Sequence, residues 1–245
     1  MATRLVHLVI DAADPPAAAR FWASTLGWEA DTDDPGESSV APAGFSYPGT
    51  SAVPLVFVPV PEPKTVKNRV HLDLTSTSLD HQAALVDRVL SLGARHVDIG
   101  QGDVPWVVLA DPFGNEFCVL EPRPEYASTG PVAAIVVDSA DPDQEARFWG
   151  AAAGWPVGPE RDGLIPLRSA DGQGPYLEFL PSADPKQVKN RVHLDVAPFT
   201  GGDQALEADR LRGLGAALAD VGQGQVTWVV LTDPDGQEFC VLSPR

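Results

Sequence analysis

At 245 residues, 44% hydrophobic and 21% charged, the chain has the composition of a globular protein long enough for more than one domain. A net charge of −17 argues against a nucleic-acid or anionic-membrane surface, because phosphate binding needs a basic patch. No apolar run approaches the roughly 20 residues of a membrane span, and Asp11 interrupts the first hydrophobic stretch too early for a signal peptide. The two cysteines, Cys118 and Cys240, lie one in each half, so neither half can close a disulfide of its own. The expected home is reducing and cytoplasmic.

In chain order, LVHLVID (Leu5–Asp11) alternates as a strand and ends before Asp14-Pro15, an N-cap followed by a first-turn proline. The helix this opens carries an apolar stripe of Ala18, Trp22 and Leu26 and stops at Gly27. A loop-like stretch, Asp31–Ser51, precedes the strands PLVFVPV and NRVHLDL. A second helix opens at Thr77 or Ser78 and ends at Gly93, and short strands follow around Arg95–Ile99, Pro105–Ala110 and Glu116–Glu121.

Then the pattern starts again. VKNRVHLD at Val66–Asp73 returns letter for letter at Val188–Asp195; the ADP…ARFW…GW stretch from Ala13 returns from Ala140; and GQG…WVVL.DP.G.EFCVL from Gly100 returns from Gly222. A repeat this long is a tandem domain pair, not a solenoid. We place domain 1 at residues 1–123, a proline-rich linker at 124–131 and domain 2 at 132–245. The linker is too short to let the copies roam, so they are expected to pack as an internal pseudo-dimer, with a homodimer of the whole chain also open. The order of elements makes the fold class α+β, with largely antiparallel pairing inside each group.

Period two assigns the faces. In the repeated octet Val70, Leu72 and Leu74 oppose Arg69, His71 and Asp73; in the first strand Val6, Leu8 and Ile10 oppose His7, Val9 and Asp11. The apolar faces should carry the helices and the mixed faces should line a concavity. All four lysines, Lys64, Lys67, Lys186 and Lys189, flank the octets. They read either as a solvated inherited loop or as a cationic rim for an anionic ligand.

The ARFW…GW helix, the NRVHLD strand and the DPxGxEF hairpin, in order and twice, resemble the vicinal oxygen chelate superfamily, which includes glyoxalase I, bleomycin-resistance proteins and extradiol dioxygenases. The resemblance implies domains of paired βαβββ modules whose mixed sheets curl into cups with the helices outside. It also implies a metal held by residues of the first and last strand of each module. At those positions domain 1 offers His7, Val56, His71 and Cys118, and domain 2 offers Ala134, Glu178, His193 and Cys240. If modules swap between copies, His7 joins Val56, His193 and Cys240, while Ala134 joins Glu178, His71 and Cys118; the sequence leaves the choice open. Neither arrangement restores the family set. No cofactor is therefore favoured, the alternative being a divalent metal on His7, His71 and Cys118.

The candidate ligand-binding residues are His7, Arg69, His71, Asp73, Trp106, Cys118, Glu178, Arg191, His193, Asp195, Trp228 and Cys240. Imidazole and carboxylate supply acid/base chemistry, and the tryptophans leading WVVL could stack on a flat ligand. The function expected is binding of a small organic molecule in a cup, without the family metal. The alternatives are a metal-dependent lyase, isomerase or dioxygenase, or a metal-free acid/base catalyst. His7 has no counterpart in domain 2, so it should mark the more specialised cup.

Overall fold

The computed structural model describes residues 3–245. The first copy runs β1 (Thr3–Ala12), α1 (Pro15–Leu26), β2 (Glu29–Asp31), β3 (Ser38–Ala41), β4 (Leu55–Pro59), then β5 (Val70–Leu74), α2 (Leu79–Ser91), β6 (Arg95–His96), β7 (Val107–Ala110) and β8 (Glu116–Val119). A 3-10 turn at Pro124–Tyr126 leads to the second: β9 (Val132–Ser139), α3 (Pro142–Ala153), β10 (Ile165–Leu167), β11 (Tyr176–Pro181), β12 (Val192–Pro198), α4 (Gln204–Gly213), β13 (Ala217–Leu218), β14 (Val229–Thr232) and β15 (Glu238–Val241).

Helix α1 starts where Asp14 accepts a hydrogen bond from the Ala17 N–H, and ends where Gly27 takes the left-handed φ of 69° that a side chain would resist. Asp141 and Gly154 do the same for α3. The repeated ARFW and DPxG motifs turn out to be two halves of one bond. The Trp22 indole N–H donates to Asp111 at 3.2 Å, Trp149 donates to Asp233 at 3.2 Å, and all four residues are buried. Asp111 also accepts from the Phe113 and Asn115 N–H groups, which sets the hairpin turn.

The strands form two sheets, in the orders β13-β14-β15-β12-β1-β4-β3-β2 and β10-β11-β9-β5-β8-β7-β6. Each sheet takes one module from each copy, which decides the point that the sequence left open. β1 pairs antiparallel with β12, and β5 with β9. The copies are therefore interleaved through their sheets.

A bulge between Leu5 and His7 shifts the β1 register. Val6 consequently packs on the cup side with Val230, Cys240 and Leu242, and not with Leu8 and Ile10 as strict alternation would have it. The repeat is obeyed even here: β9 shifts at the equivalent place, and Ala133 joins Cys118 and Leu120 inside the other cup.

The octets hold this arrangement together. Arg69 donates to the backbone carbonyls of Asp138 and Asp184, and Arg191 to those of Asp11 and Glu62. Lys67 pairs with Asp138, and Lys189 with Asp11, each reaching the other copy's first strand. Lys64 and Lys186 pair with Glu116 and Glu238. The cationic-rim reading of the lysines is thereby corrected: every ammonium is matched by a carboxylate. Arg69 and Arg191 likewise lie on the seam between copies, where they line a cavity of about 750 Å³, and not in the cups.

Arg69→Ala should cost about 1.5 kcal/mol, the low end for bonds from a charged donor, and lower Tm by several degrees. Arg69→Lys should not restore it, because a single ammonium cannot span two carbonyls. An unchanged Tm in Arg69→Ala would count against the clamp.

Candidate functional site

On the face of the first sheet turned away from the main core, His7 lies beside a small buried cluster of Val6, Ala197, Val230, Cys240 and Leu242, here the His7 cup. Register pairs His7 with Asp195 and Val9 with His193 across β1 and β12, and Asp195 with Cys240 across β12 and β15. His7 Nδ1 lies 3.5 Å from Asp195 Oδ2, His193 Nε2 lies 3.6 Å from Asp195 Oδ1, and Cys240 Sγ lies 3.6 Å from His193 Nε2. All four are largely buried. His193 Nδ1 and Asp195 Oδ1 are buried without a hydrogen-bond partner. Burial holds the His193 imidazole below its usual range, so it is neutral at pH 7. Burial first, and the Asp195 carboxylate second, push the Cys240 thiol far up and keep it protonated.

The Asp31–Ser51 stretch supplies a wall that the sequence did not suggest. Tyr47 donates to the Val6 carbonyl at 2.7 Å and meets the His7 ring edge-on at 6.0 Å between centroids. Arg4 covers the Tyr47 ring, and burial pushes the phenol up to about 12. Trp228 shares strand parity with Val230, which faces the cup, and it is 41% exposed.

The second sheet's Glu178 cup holds the matching triad. Asp73 pairs in register with Cys118, and His71 Nε2 lies 3.5 Å from Asp73 Oδ1, itself buried and unpartnered. The Cys118 thiol is pushed up for the same two reasons as Cys240. Ala134 stands where the other cup has His7.

Here the linker intervenes. Tyr126 is buried inside this cup with Cys118 and Leu120, and its hydroxyl reaches both Glu178 oxygens at 3.1 Å. Arg161 also bonds Glu178 at 2.9 Å. Burial drives the Glu178 carboxyl up to about 7, against the opposing pull of Arg161. Trp106 packs at the same cluster under the Arg123 guanidinium, 5.5 Å from its ring centroid. Neither Tyr126 nor Arg161 has a sequence signal; the one hint was an acid, Glu178, facing an apolar cluster without a partner in its own motif.

The alternative metal set His7, His71 and Cys118 is not assembled. Module exchange puts His7 in one sheet and His71 with Cys118 in the other. What the fold does assemble, twice, is a histidine, an aspartate and a cysteine: His71, Asp73 and Cys118, and His193, Asp195 and Cys240, each with ligand atoms within 4.8 Å of one another.

A family model for a glyoxalase-like domain matches residues 7–120 and again 134–242. The chain belongs to the glyoxalase-like domain family. Glyoxalase I from Zea mays superposes on it with a TM-score of 0.65 at 13% identity, covering 98% of this chain and 92% of that one. A putative dioxygenase from Bacillus subtilis gives 0.62 at 15% identity, covering 99% and 85%. At such identities the likeness shows the fold alone. No curated protein matches the sequence. Among the described residues, no helix is long and apolar enough to cross a membrane.

Within this glyoxalase-like frame, the four ligand positions of the His7 cup hold His7, Val56, His193 and Cys240, and those of the Glu178 cup hold Ala134, Glu178, His71 and Cys118. Each cup thus lacks a donor at one position and has cysteine at another. Glu178, the one glutamate, already bonds Tyr126 and Arg161. The family's four-ligand set does not fit either cup.

Proposed function

We propose that this glyoxalase-like protein binds a small organic molecule in the His7 cup, without the family's four-ligand metal set. One observation carries the reading: the two cups are occupied differently by the chain itself. Tyr126 fills the Glu178 cup and caps its acid, and Arg123 covers Trp106. In the His7 cup Tyr47 also packs on the buried apolar cluster, but its hydroxyl goes to the Val6 carbonyl and caps no acid, the equivalent Trp228 is exposed, and His7 adds a polar group where the other cup has Ala134. Small-molecule sites have this composition, apolar with a few convergent polar groups. A reducing, cytoplasmic setting accords with two free, buried cysteines.

The anilinonaphthalene sulfonate dye, displaced by a panel of small aromatic and carboxylated compounds, provides the screen. Compounds that displace it should quench Trp228 fluorescence and lose roughly tenfold in affinity in His7→Ala, the worth of one or two hydrogen bonds. Tyr126→Phe should leave that affinity alone. Hits that depend on Glu178 and ignore His7 would assign the function to the other cup.

A second reading, a metal-dependent lyase, isomerase or dioxygenase, draws on the two His-Asp-Cys triads. Metal-free acid/base catalysis would use the 3.5 Å His7–Asp195 pair.

A further inference from the structure

We propose that the cavity on the seam is a binding site of its own, outside both cups, for a small organic dicarboxylate held between Arg69 and Arg191. It does not rest on the small-molecule reading of the His7 cup. The cavity, of about 750 Å³, exists only because the copies interleave: the segment leading into β5 and the segment leading into β12 both line it. Neither copy alone could form it.

Charge is the first observation. The chain carries 34 acidic side chains against 17 basic ones, yet the cavity is lined by five basic residues and four acidic ones. Ion pairs cancel the lysines: Lys67 with Asp138, Lys189 with Asp11, and Lys186 with Glu238. Two arginines and two acids remain. The acids, Glu62 and Asp184, are exposed, so water screens them. Arg69 and Arg191 are half-buried, and their bonds run to backbone carbonyls, which satisfy N–H groups without neutralising the charge. Among the described residues neither guanidinium has an ion-pair partner.

The second observation is unused bonding capacity. Each guanidinium has five N–H groups, and two of them are bonded. In both arginines the Nε–H is buried with no acceptor. A partly desolvated cation without a counter-ion attracts an anion more strongly than the same group in water.

The third observation is shape, and it selects the anion. The planar fork of arginine suits a carboxylate, and the repeat supplies that fork twice at equivalent places. A ligand with a carboxylate at each end can use both. The volume falls within the roughly 300–1,000 Å³ of small-molecule sites and far exceeds an inorganic ion. Apolar residues complete the lining: Val66 and Val188, 36% and 45% exposed, with Pro63 and Pro185 beside them. An aromatic or aliphatic spacer would cover that surface.

The test titrates the full-length protein with isophthalate, and separately with benzoate and inorganic phosphate, by calorimetry and by the side-chain Nε–H signals of arginine in nuclear magnetic resonance spectra. One equivalent of isophthalate should bind about tenfold or more tighter than either comparator and shift the Arg69 and Arg191 signals. Arg191→Lys should weaken it about tenfold, because an ammonium cannot replace the fork. Gln187→Glu places a carboxylate at an exposed lining position and should weaken it by a similar factor, which keeps the test valid if the arginine variant folds poorly. His7→Ala should leave isophthalate affinity unchanged, so failure here and failure of the cup reading are distinguishable. No saturation at millimolar isophthalate would overturn the proposal, as would binding that Gln187→Glu leaves intact or that His7→Ala removes. Phosphate binding as tightly as isophthalate would overturn the dicarboxylate and leave a simple oxyanion in its place.

Discussion

Expressed alone, residues 1–121 are expected to form a dimer and not a folded monomer. In the whole chain β1 pairs with β12 over seven register positions and β5 pairs with β9 over five. Cutting the chain between copies strips both central strands of a neighbour and leaves two rows of unpaired N–H and C=O groups flanked by Leu5, Leu8, Val70 and Leu72, all buried in the intact protein. A monomer that keeps the exchanged arrangement leaves both edges bare. Two copies cover them, because β9 repeats β1 and β12 repeats β5, so β1 of each half can take the place that β9 holds on β5 of the other. Light scattering should give twice the chain mass with native-like circular dichroism. A stable, cooperatively folding monomer at micromolar concentration would mean that each copy closes its own cup.

Raising the pH is expected to destabilise the second copy's helix-to-hairpin joint, and Glu145→Ala to remove the effect. Glu145 lies in the first turn of α3 with no solvent exposure, one oxygen held by the Asp235 N–H at 2.9 Å and the other without a partner. Beside it is Asp233, the buried acceptor of the Trp149 indole. Burial raises both carboxyls, and repulsion between them drives the Glu145 carboxyl higher still, so Glu145 keeps its proton. The sign follows. An acid with a folded pKa above its unfolded value binds the proton more tightly when folded, so its stability contribution is full below about pH 4 and falls as pH rises. The slope approaches about 1.4 kcal/mol per pH unit for one proton, and roughly 3–4 kcal/mol should separate pH 5 from pH 8. In copy one Ala18 occupies the matching place and Trp22 still bonds Asp111, so alanine is compatible with the local structure. Urea unfolding at several pH values should show Glu145→Ala with the shallower slope and the higher stability at pH 8. Parallel curves for the two proteins would show that the pair is not protonated as described.

Glu145 was visible as a departure from the repeat, since only one copy has an acid there, yet nothing in α3's own pattern says that it faces Asp233. That contact joins a helix to a hairpin whose Asp235 N–H, 90 residues on, bonds the same Glu145. The local features were legible: Asp14-Pro15 and Gly27 bound the helix, the octet is a strand with Arg69, His71 and Asp73 on one side, and the repeat gave two sets of modules. What sequence spacing could not supply was which modules share a sheet, because strand pairing is indifferent to chain distance once the copies are tethered. That single choice moved His7 away from His71 and Cys118. The octet's histidine read as structural or pocket-lining, and two of the octet's residues serve the seam: Lys67 bonds Asp138 and Arg69 the backbone of the other copy, while Asn68 holds Asn115 in its own copy's hairpin. The linker was read as a spacer from its prolines, and its Tyr126 proved to be a wall of the Glu178 cup, a role that hydrophobic periodicity does not encode.

The exchange of modules underlies both the cups and the triads, and backbone nuclear Overhauser effects in deuterated protein with selectively protonated strands test it most directly. Cross-strand effects should link Val9 to His193 and His7 to Asp195, and likewise His71 to Val136 and Asp73 to Ala134. Effects joining β1 to β5 within the first copy, His7 to Asp73 for example, would contradict it and return His7 to the cup of His71 and Cys118.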